Sequence, residues 1–348
     1  MTNSILRDDL MAVVGRLGDA ADAFSGKTIM IVGASGFLGQ QFVQLFETLG
    51  RDVLDEPCRI IAADSLITGA VAHSDSAHLR FLEHDIREPF QSDEEIHFLV
   101  HAAGVASPVY YRRFPVETIE VATLGTRNVL QLAQRNGARA LYFSSSEIYG
   151  DPDAANIPTP ESYRGNVACL GPRACYDESK RMGETMCYVH ARYFETQVSI
   201  VRPFNVYGPG MRDNDYRVLP NFAKAILTNS PLTLYASGQQ TRTYCYSVDA
   251  MTGFMLALLR GRAGEAYNIG ASGPEVSVIQ LADLLESVHG STLQRTYIDY
   301  PDTYPADEPQ RRCPELEKAR RELGYRPQVA LEDGLARYLT WAADAYTA

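Results

Sequence analysis

The chain has little that would build a metal cluster, cross a bilayer or grip a polyanion. Its six cysteines, at 58, 169, 175, 187, 245 and 313, are scattered, and no two form Cys-x-x-Cys. That spacing argues against a zinc site or a disulfide framework and fits a reducing compartment; no metal is expected. No apolar run reaches the length of a membrane span. Basic residues are outnumbered, 32 Lys and Arg against 43 Asp and Glu, for a net charge of −11. Nothing resembles a basic nucleic-acid patch, and an acidic surface argues against anionic membranes. An anionic ligand must then be held by local arginines and helix ends. Asp8, Asp9 and Asp19 interrupt the N-terminus, which does not read as a signal peptide. A cytoplasmic protein is expected. Internal repeats and low-complexity linkers are also missing.

What is present is ordinary globular composition, 45% hydrophobic and 22% charged over 348 residues. That length serves one large domain or two coupled ones. Leu6, Leu10, Val13, Val14, Leu17 and Ala21 recur at helical spacing, which predicts an amphipathic helix over 4–23 that packs on the body or touches a partner subunit. Strand and helix signals then alternate. Strands are expected at 28–32, 58–63, 79–82, 97–102, 139–144 and 197–202, with helices between, notably 117–136 and 174–194. This is the pattern of an α/β fold, a doubly wound parallel Rossmann sheet. From 203 the texture becomes turn-rich, with helices expected at 217–228, 277–289 and 314–323. The reading is an N-terminal helical extension (1–26), a dinucleotide domain (27–203, with 244–268 returning to it), and a smaller C-terminal substrate domain (204–243 and 269–348).

The first chemical motif is Thr28-Ile-Met-Ile-Val-Gly-Ala-Ser-Gly-Phe-Leu-Gly39. An apolar strand runs into Gly33-x-x-Gly36-x-x-Gly39 and then into an amphipathic segment. Strand, glycine turn and helix are the context of a dinucleotide fingerprint, in which glycines let the backbone approach a pyrophosphate at a helix N-terminus. Gly33, Ser35, Gly36, Phe37, Leu38 and Gly39 are therefore assigned to the cofactor. The next strand ends in Asp64. A carboxylate there accepts the ribose hydroxyls of NAD and repels the 2′-phosphate of NADP, so the expected cofactor is NAD. Asp85, with Ile86, follows the third strand and is placed for the adenine end.

The second is Leu141-Tyr-Phe-Ser-Ser-Ser-Glu-Ile-Tyr-Gly150, an apolar strand ending in three hydroxyls and a carboxylate. Ligands of open parallel sheets sit at the carboxyl ends of the strands. Ser145 is placed to hydrogen-bond a substrate hydroxyl, with Ser146 beside it, and Glu147 to act as general acid or base; the alternative is a Ser-rich loop whose glutamate caps a helix. The third is Tyr176 and Lys180. Four residues apart on a helix, they share a face. A lysine beside a phenol favours the phenolate, and such a tyrosine can take a proton from an alcohol. The fourth is Asp307 to Pro327, where Arg311 and Arg312 precede a helix started by Pro314 and ended by Gly324. Arginines so placed are solvated charge, or they bind a carboxylate or phosphate.

In this order the motifs, joined by His101-Ala-Ala-Gly104, Arg202-Pro-Phe-Asn-Val-Tyr-Gly-Pro and Tyr267-Asn-Ile-Gly270, resemble the extended short-chain dehydrogenase/reductase superfamily of NAD-dependent nucleotide-sugar epimerases and dehydratases. The resemblance covers roughly residues 27 to 342. Within it the chain is most similar to the UDP-glucuronate decarboxylases. The pointers include Ala106-Ser-Pro108, Gly171-Pro-Arg-Ala-Cys-Tyr-Asp-Glu178, Asn214-Asp-Tyr-Arg-Val218, Ser237-Gly-Gln-Gln-Thr-Arg242 and Pro309-Gln-Arg-Arg312. The resemblance implies that Ala102 and Ala103 line the cofactor, and that Glu147 and Arg312 serve decarboxylation. It places Arg217 and Arg242 near a uridine diphosphate. It implies substrate contacts from Ser107, Pro108, Tyr111, Asn205, Val218 and Tyr235. It also implies a homodimer through helices 117–136 and 174–194.

The expected reaction oxidises a sugar at C4, with Tyr176, Lys180 and Ser145 removing the hydroxyl proton, and then loses carbon dioxide from C5. A 4-epimerase needs only Tyr176, Ser145 and room for the keto-sugar to rotate, so it remains a second reading. A 4,6-dehydratase is disfavoured because position 146 is Ser, where an acid is needed to expel the 6-hydroxyl. A non-enzymatic dinucleotide sensor is disfavoured because Tyr176 and Lys180 are both kept.

Overall fold

The computed structural model describes residues 2–68, 73–92, 94–299 and 309–346. Asp307 and Glu308, which open the arginine-bearing segment, lie outside the described residues. Seven parallel strands form the main sheet: β1 (Thr28–Val32), β2 (Arg59–Asp64), β3 (Leu79–Glu83), β4 (Phe98–His101), β5 (Arg139–Phe143), β6 (Val198–Pro203) and an edge strand, Ala266–Ile269. Their spatial order is the edge strand, then β6, β5, β4, β1, β2 and β3. The order reverses between β1 and β4, which pair from Ile29↔Phe98 to Val32↔His101. In such a sheet the crevice at the switch point takes the ligand.

Both faces of the sheet are buried, as the apolar runs require. Ile29 and Ile31 point into one core cluster and Met30 and Val32 into the other. The expected doubly wound fold is therefore observed. Ser247–Arg260 is a helix buried along most of its length, and Ala266–Ile269 pairs with β6. The C-terminal part adds small sheets, including Thr241–Arg242 flanked by Val276–Ser277 and Arg311–Arg312. Among the described residues no helix is long and apolar enough to cross a membrane.

Three expected helices differ in detail. The 4–23 helix is an α-helix only over Thr2–Leu17 (α1); a 3-10 segment, Gly18–Phe24, follows, because Gly18 adopts φ +51° and breaks the α ladder. α1 packs on the body: the Asp9 carboxylate accepts from Tyr246 Oη at 2.6 Å and from Arg337 Nε at 2.9 Å, and Arg16 pairs with Asp249. The 117–136 helix is Pro115–Glu120 and Thr126–Asn136 with a π turn, Val121–Gly125, between them. The wider turn rotates the apolar face so that Val121 and Ala122 are buried as well as Val129 and Leu130. The 314–323 helix starts later, at Glu317. Cys313 to Glu315 is instead held extended by Thr159, whose N–H donates to Cys313 O (2.8 Å) and whose carbonyl accepts from Glu315 N (3.0 Å).

The glycine turn after β1 is sterically demanding. Gly33 has φ +85°, and an added Cβ would lie 2.5 Å from Ala103 N. At Gly39 it would lie 2.0 Å from Gly33 O, inside the turn itself. Gly39→Ala is expected to cost about 1–3 kcal/mol or more through overpacking. Thermal unfolding should show the loss, and affinity for the dinucleotide should fall with it.

Candidate active site

The carboxyl ends of β4, β5 and β6 open into a cavity of about 370 Å³, walled on the other side by the C-terminal segments. All six expected catalytic side chains, Ser145, Ser146, Glu147, Tyr176, Lys180 and Arg312, line it. β5 delivers the serines and glutamate, with Ser145 capping a short turn, Ser146–Tyr149, by accepting from Glu147 N at 3.2 Å. The 21-residue helix Ala174–Phe194 delivers Tyr176 and Lys180, both on its buried face.

Lys180 Nζ donates to Phe143 O at 2.6 Å and lies 5.9 Å from the centre of the Tyr176 ring. Burial lowers its pKa to about 8. The Tyr176 phenol is raised above its usual value by burial, against which the hydrogen bond from Ser145 works. Burial thus works against the phenolate that the Tyr176–Lys180 spacing is expected to favour, while the Lys180 ammonium is turned towards a carbonyl. The ring of Tyr111 stacks on that of Tyr176, with centroids 5.5 Å apart and planes 15° from parallel.

Glu147 and Arg312 meet directly. Arg312 Nη1 and Nη2 donate to Glu147 Oε1 and Oε2, each at 2.7 Å, a bidentate fork. Arg173 donates to the same carboxylate. Burial alone would raise the Glu147 pKa, but Arg312 and Arg173 overcome it and hold the group at about 2. Glu147 is thus a firm anion here and not a ready acid. Arg312 Nε is buried with no hydrogen-bond partner among the described residues.

The expected substrate residues Pro108, Tyr111, Asn205, Arg217, Val218, Tyr235 and Arg242 also line the cavity. Ser107 does not. It caps the short helix Pro108–Arg113 without a side-chain bond, and its Oγ is buried without a partner among the described residues. Asn205, at φ +41°, donates to Thr243 O at 2.9 Å. Arg242 spends its guanidinium on backbone carbonyls, with Nη2 to Pro309 O at 2.6 Å, and so anchors the segment that carries Arg312. Arg217 forks onto Asp215 and lies over the Phe37 ring, 5.7 Å from its centre.

On the cofactor side, Phe37, Leu38 and Ala102 reach the cavity edge. Asp64 accepts from Ser35 N at 2.9 Å and Leu66 N at 2.8 Å. Ala103 backs onto Gly33. Asp85 is held by Arg87, with Nη2 to Oδ2 at 2.7 Å, and Ile86 O accepts from Asn128 Nδ2 at 2.8 Å. A larger open groove, about 1080 Å³, runs beside the outer part of the Ala174–Phe194 helix; it carries charges of both signs and lacks Tyr176, Lys180 and Glu147.

The model of the NAD dependent epimerase/dehydratase family matches residues 29–270. The chain belongs to this family. UDP-glucuronic acid decarboxylase 1 of Xenopus tropicalis is 38% identical over 313 residues, 89% of this chain and 70% of that protein. UDP-glucuronic acid decarboxylase 5 of Arabidopsis thaliana is also 38% identical, over 89% of this chain and 88% of its own length. Among solved structures, the dTDP-glucose 4,6-dehydratase of Streptomyces venezuelae, with NAD and TYD bound, superposes with a TM-score of 0.76 at 28% identity, covering 92% of this chain and 98% of that one.

The turn fits the dinucleotide that gives the family its name. A Cβ at Gly36 would meet no protein atom closer than Gly33 O at 3.4 Å, so the space before it is open. Gly36 is also the N-cap of the helix Phe37–Asp52, without a side-chain cap, which leaves N–H groups for an anion. Two further residues stand at or beside the cavity without a role in the sequence motifs: Arg173 lines it, and Asp177 pairs with Arg173. The Arg173–Asp177 spacing of four, at the start of a helix, is the signal that would have paired them; their ion pair is 3.5 Å long.

Proposed function

We propose that this enzyme decarboxylates UDP-glucuronate, using NAD that is reduced and reoxidised within one turnover. The reading rests on one observation above all. Arg312, a permanent cation whose buried Nε has no partner among the described residues, lines the same cavity as Tyr176 and Ser145. A sugar oriented with its 4-hydroxyl at Tyr176 carries its C5 carboxylate as a neighbouring group, and a guanidinium is the natural partner for it. The likeness to UDP-glucuronic acid decarboxylases over 89% of the chain supports the same substrate.

In this reading NAD would be held by the turn through Gly33, Gly36 and Gly39 and by Asp64, and would supply reversible hydride acceptance at C4. Tyr176 takes the proton of the 4-hydroxyl, with Ser145 hydrogen-bonded to the same oxygen and Lys180 supplying charge. The ketone lets electrons from the breaking C5–C6 bond flow onto its oxygen. Arg312 binds the carboxylate and Glu147 keeps Arg312 oriented, with Ser146 packed beside them. Tyr111 holds the face of Tyr176, and Arg217, on releasing Asp215, serves the diphosphate. Residues 27–203 with 244–268 hold the cofactor, and 204–243 with 269–348 close over the nucleotide sugar. The protein acts in the cytoplasm.

The deciding experiment is mass spectrometry of products from a panel of UDP-sugars with and without a C5 carboxylate. Loss of the mass of carbon dioxide from UDP-glucuronate is expected. An unchanged mass with inverted C4 identifies a 4-epimerase, and loss of water a dehydratase.

Two further outcomes are expected. NAD should bind at least about tenfold more tightly than NADP, because juxtaposed like charges cost several kcal/mol and Asp64 would face the 2′-phosphate. Titration of each cofactor checks this, and equal affinity would remove Asp64 from the role. The protein should also sediment as a dimer. Val116 and Ile119 on one helix and Met182, Tyr188, Tyr193 and Phe194 on the other are exposed apolar side chains. Tyr193→Glu should shift the sedimenting species to monomer.

A further inference from the structure

The proposed reaction consumes a proton that Tyr176, Glu147, Arg312 and Arg173 are not free to give. Loss of carbon dioxide breaks the C5–C6 bond and leaves its electron pair in an enolate. A new C5–H bond then needs one proton, drawn in the end from water. The proton on Tyr176 is committed, since it leaves the 4-hydroxyl and goes back to it. Arg312 and Arg173 do not release protons. Glu147 lines the cavity but is ionised under two guanidinium groups.

Behind Glu147 lies a second carboxyl group. Asp177, only 5% exposed, sits beside Glu147 on the same edge of Arg173, with Nε to Oδ2 at 3.5 Å while Nη2 goes to Glu147. Its Oδ1 is buried with no hydrogen-bond partner among the described residues. Two carboxylates therefore share one edge of a guanidinium, and Asp177 is anchored there at a single oxygen. Resting on the decarboxylase reading, we propose that Asp177 is the proton store of this site. It takes up a proton when the sugar carboxylate binds and passes it, by way of Glu147, to C5 after carbon dioxide has left.

The charge balance drives both transfers. The incoming carboxylate draws Arg312 away from Glu147 and places a third anion in a cluster with the cations Arg173 and Arg312. An extra anion favours the protonated form of the least well paired carboxyl group, which is Asp177. When carbon dioxide leaves, the negative charge passes from the carboxylate beside the arginines to the enolate, whose C5 is then the base that takes the proton. The charged and titratable groups facing Asp177 are Arg173, Tyr176 and Cys175 on its own helix, Glu147 on the turn after β5, and Arg312 on the strand Arg311–Arg312. Burial and the Glu147 charge already lift its pKa to about 7, against the pull of Arg173 and Arg312. Binding raises it further, so uptake is small well below that value, where the group is already protonated, and large just above it.

The test counts protons. UDP-glucuronate is titrated calorimetrically into the NAD-loaded Tyr176→Phe protein, in which turnover is expected to be slow against the titration, at about pH 8 in buffers of different ionisation enthalpy. Uptake of about half a proton or more per site is expected, with little on binding UDP-glucose. Lys180 also titrates near this pH, so the same titration is run on Tyr176→Phe/Asp177→Asn, where the uptake should be lost. Asparagine keeps an acceptor for Arg173; a purely orienting role for Asp177 would change affinity but leave the proton count intact. Unchanged uptake in the double variant, or none in the single variant, overturns the inference even while wild-type enzyme releases carbon dioxide. Wild-type enzyme that fails to decarboxylate UDP-glucuronate overturns the function itself, and the inference with it.

Discussion

Tyr176→Phe should reduce turnover by about two to four orders of magnitude while leaving UDP-sugar affinity nearly unchanged. The variant deletes one oxygen from a ring that remains stacked on Tyr111, so packing is kept and only the proton acceptor is lost. Burial raises the phenol of Tyr176, and the ammonium of Lys180 is turned to Phe143 O. The base is therefore formed only when Lys180 and the bound ligands favour the phenolate. The loss should appear in the first half-reaction, as failure of bound cofactor to become reduced. A Phe variant with wild-type turnover would remove Tyr176 from the chemistry.

Arg312→Ala should cost ~2–4 kcal/mol of transition-state stabilisation, roughly 30- to 1,000-fold in rate. The side chain makes two bonds of 2.7 Å to Glu147 and is itself buried, so its removal also leaves Glu147 to Arg173 alone. The Glu147 carboxyl should then become easier to protonate. Arg312→Lys should rescue poorly, because a point charge cannot reproduce the fork. The decisive reading is where the reaction stalls. If Arg312 serves the carboxylate, reduced cofactor accumulates on the enzyme before carbon dioxide appears. If it serves only binding, affinity falls and nothing accumulates.

The sequence by itself determined the parts whose causes are local. The strand Thr28–Val32, the turn through Gly33, Gly36 and Gly39, and the helix carrying Tyr176 and Lys180 are set by periodicity and by backbone sterics within a few residues. The parallel sheet followed from alternating apolar runs that can be buried only between helices. The tertiary structure alone decided the electrostatics of the site. Glu147 and Arg312 are 165 residues apart in the chain, and nothing local says that they share a fork, that Arg173 joins them, or that Asp177 stands behind. Nor does spacing reveal that Arg242 is spent on carbonyls that hold the Arg312 segment. Charges act through whatever lies within a few ångströms and through how much water is excluded, and both are set by the packed fold. That is why Tyr176 and Lys180 were legible as a pair, while the direction in which burial moves each of them was not.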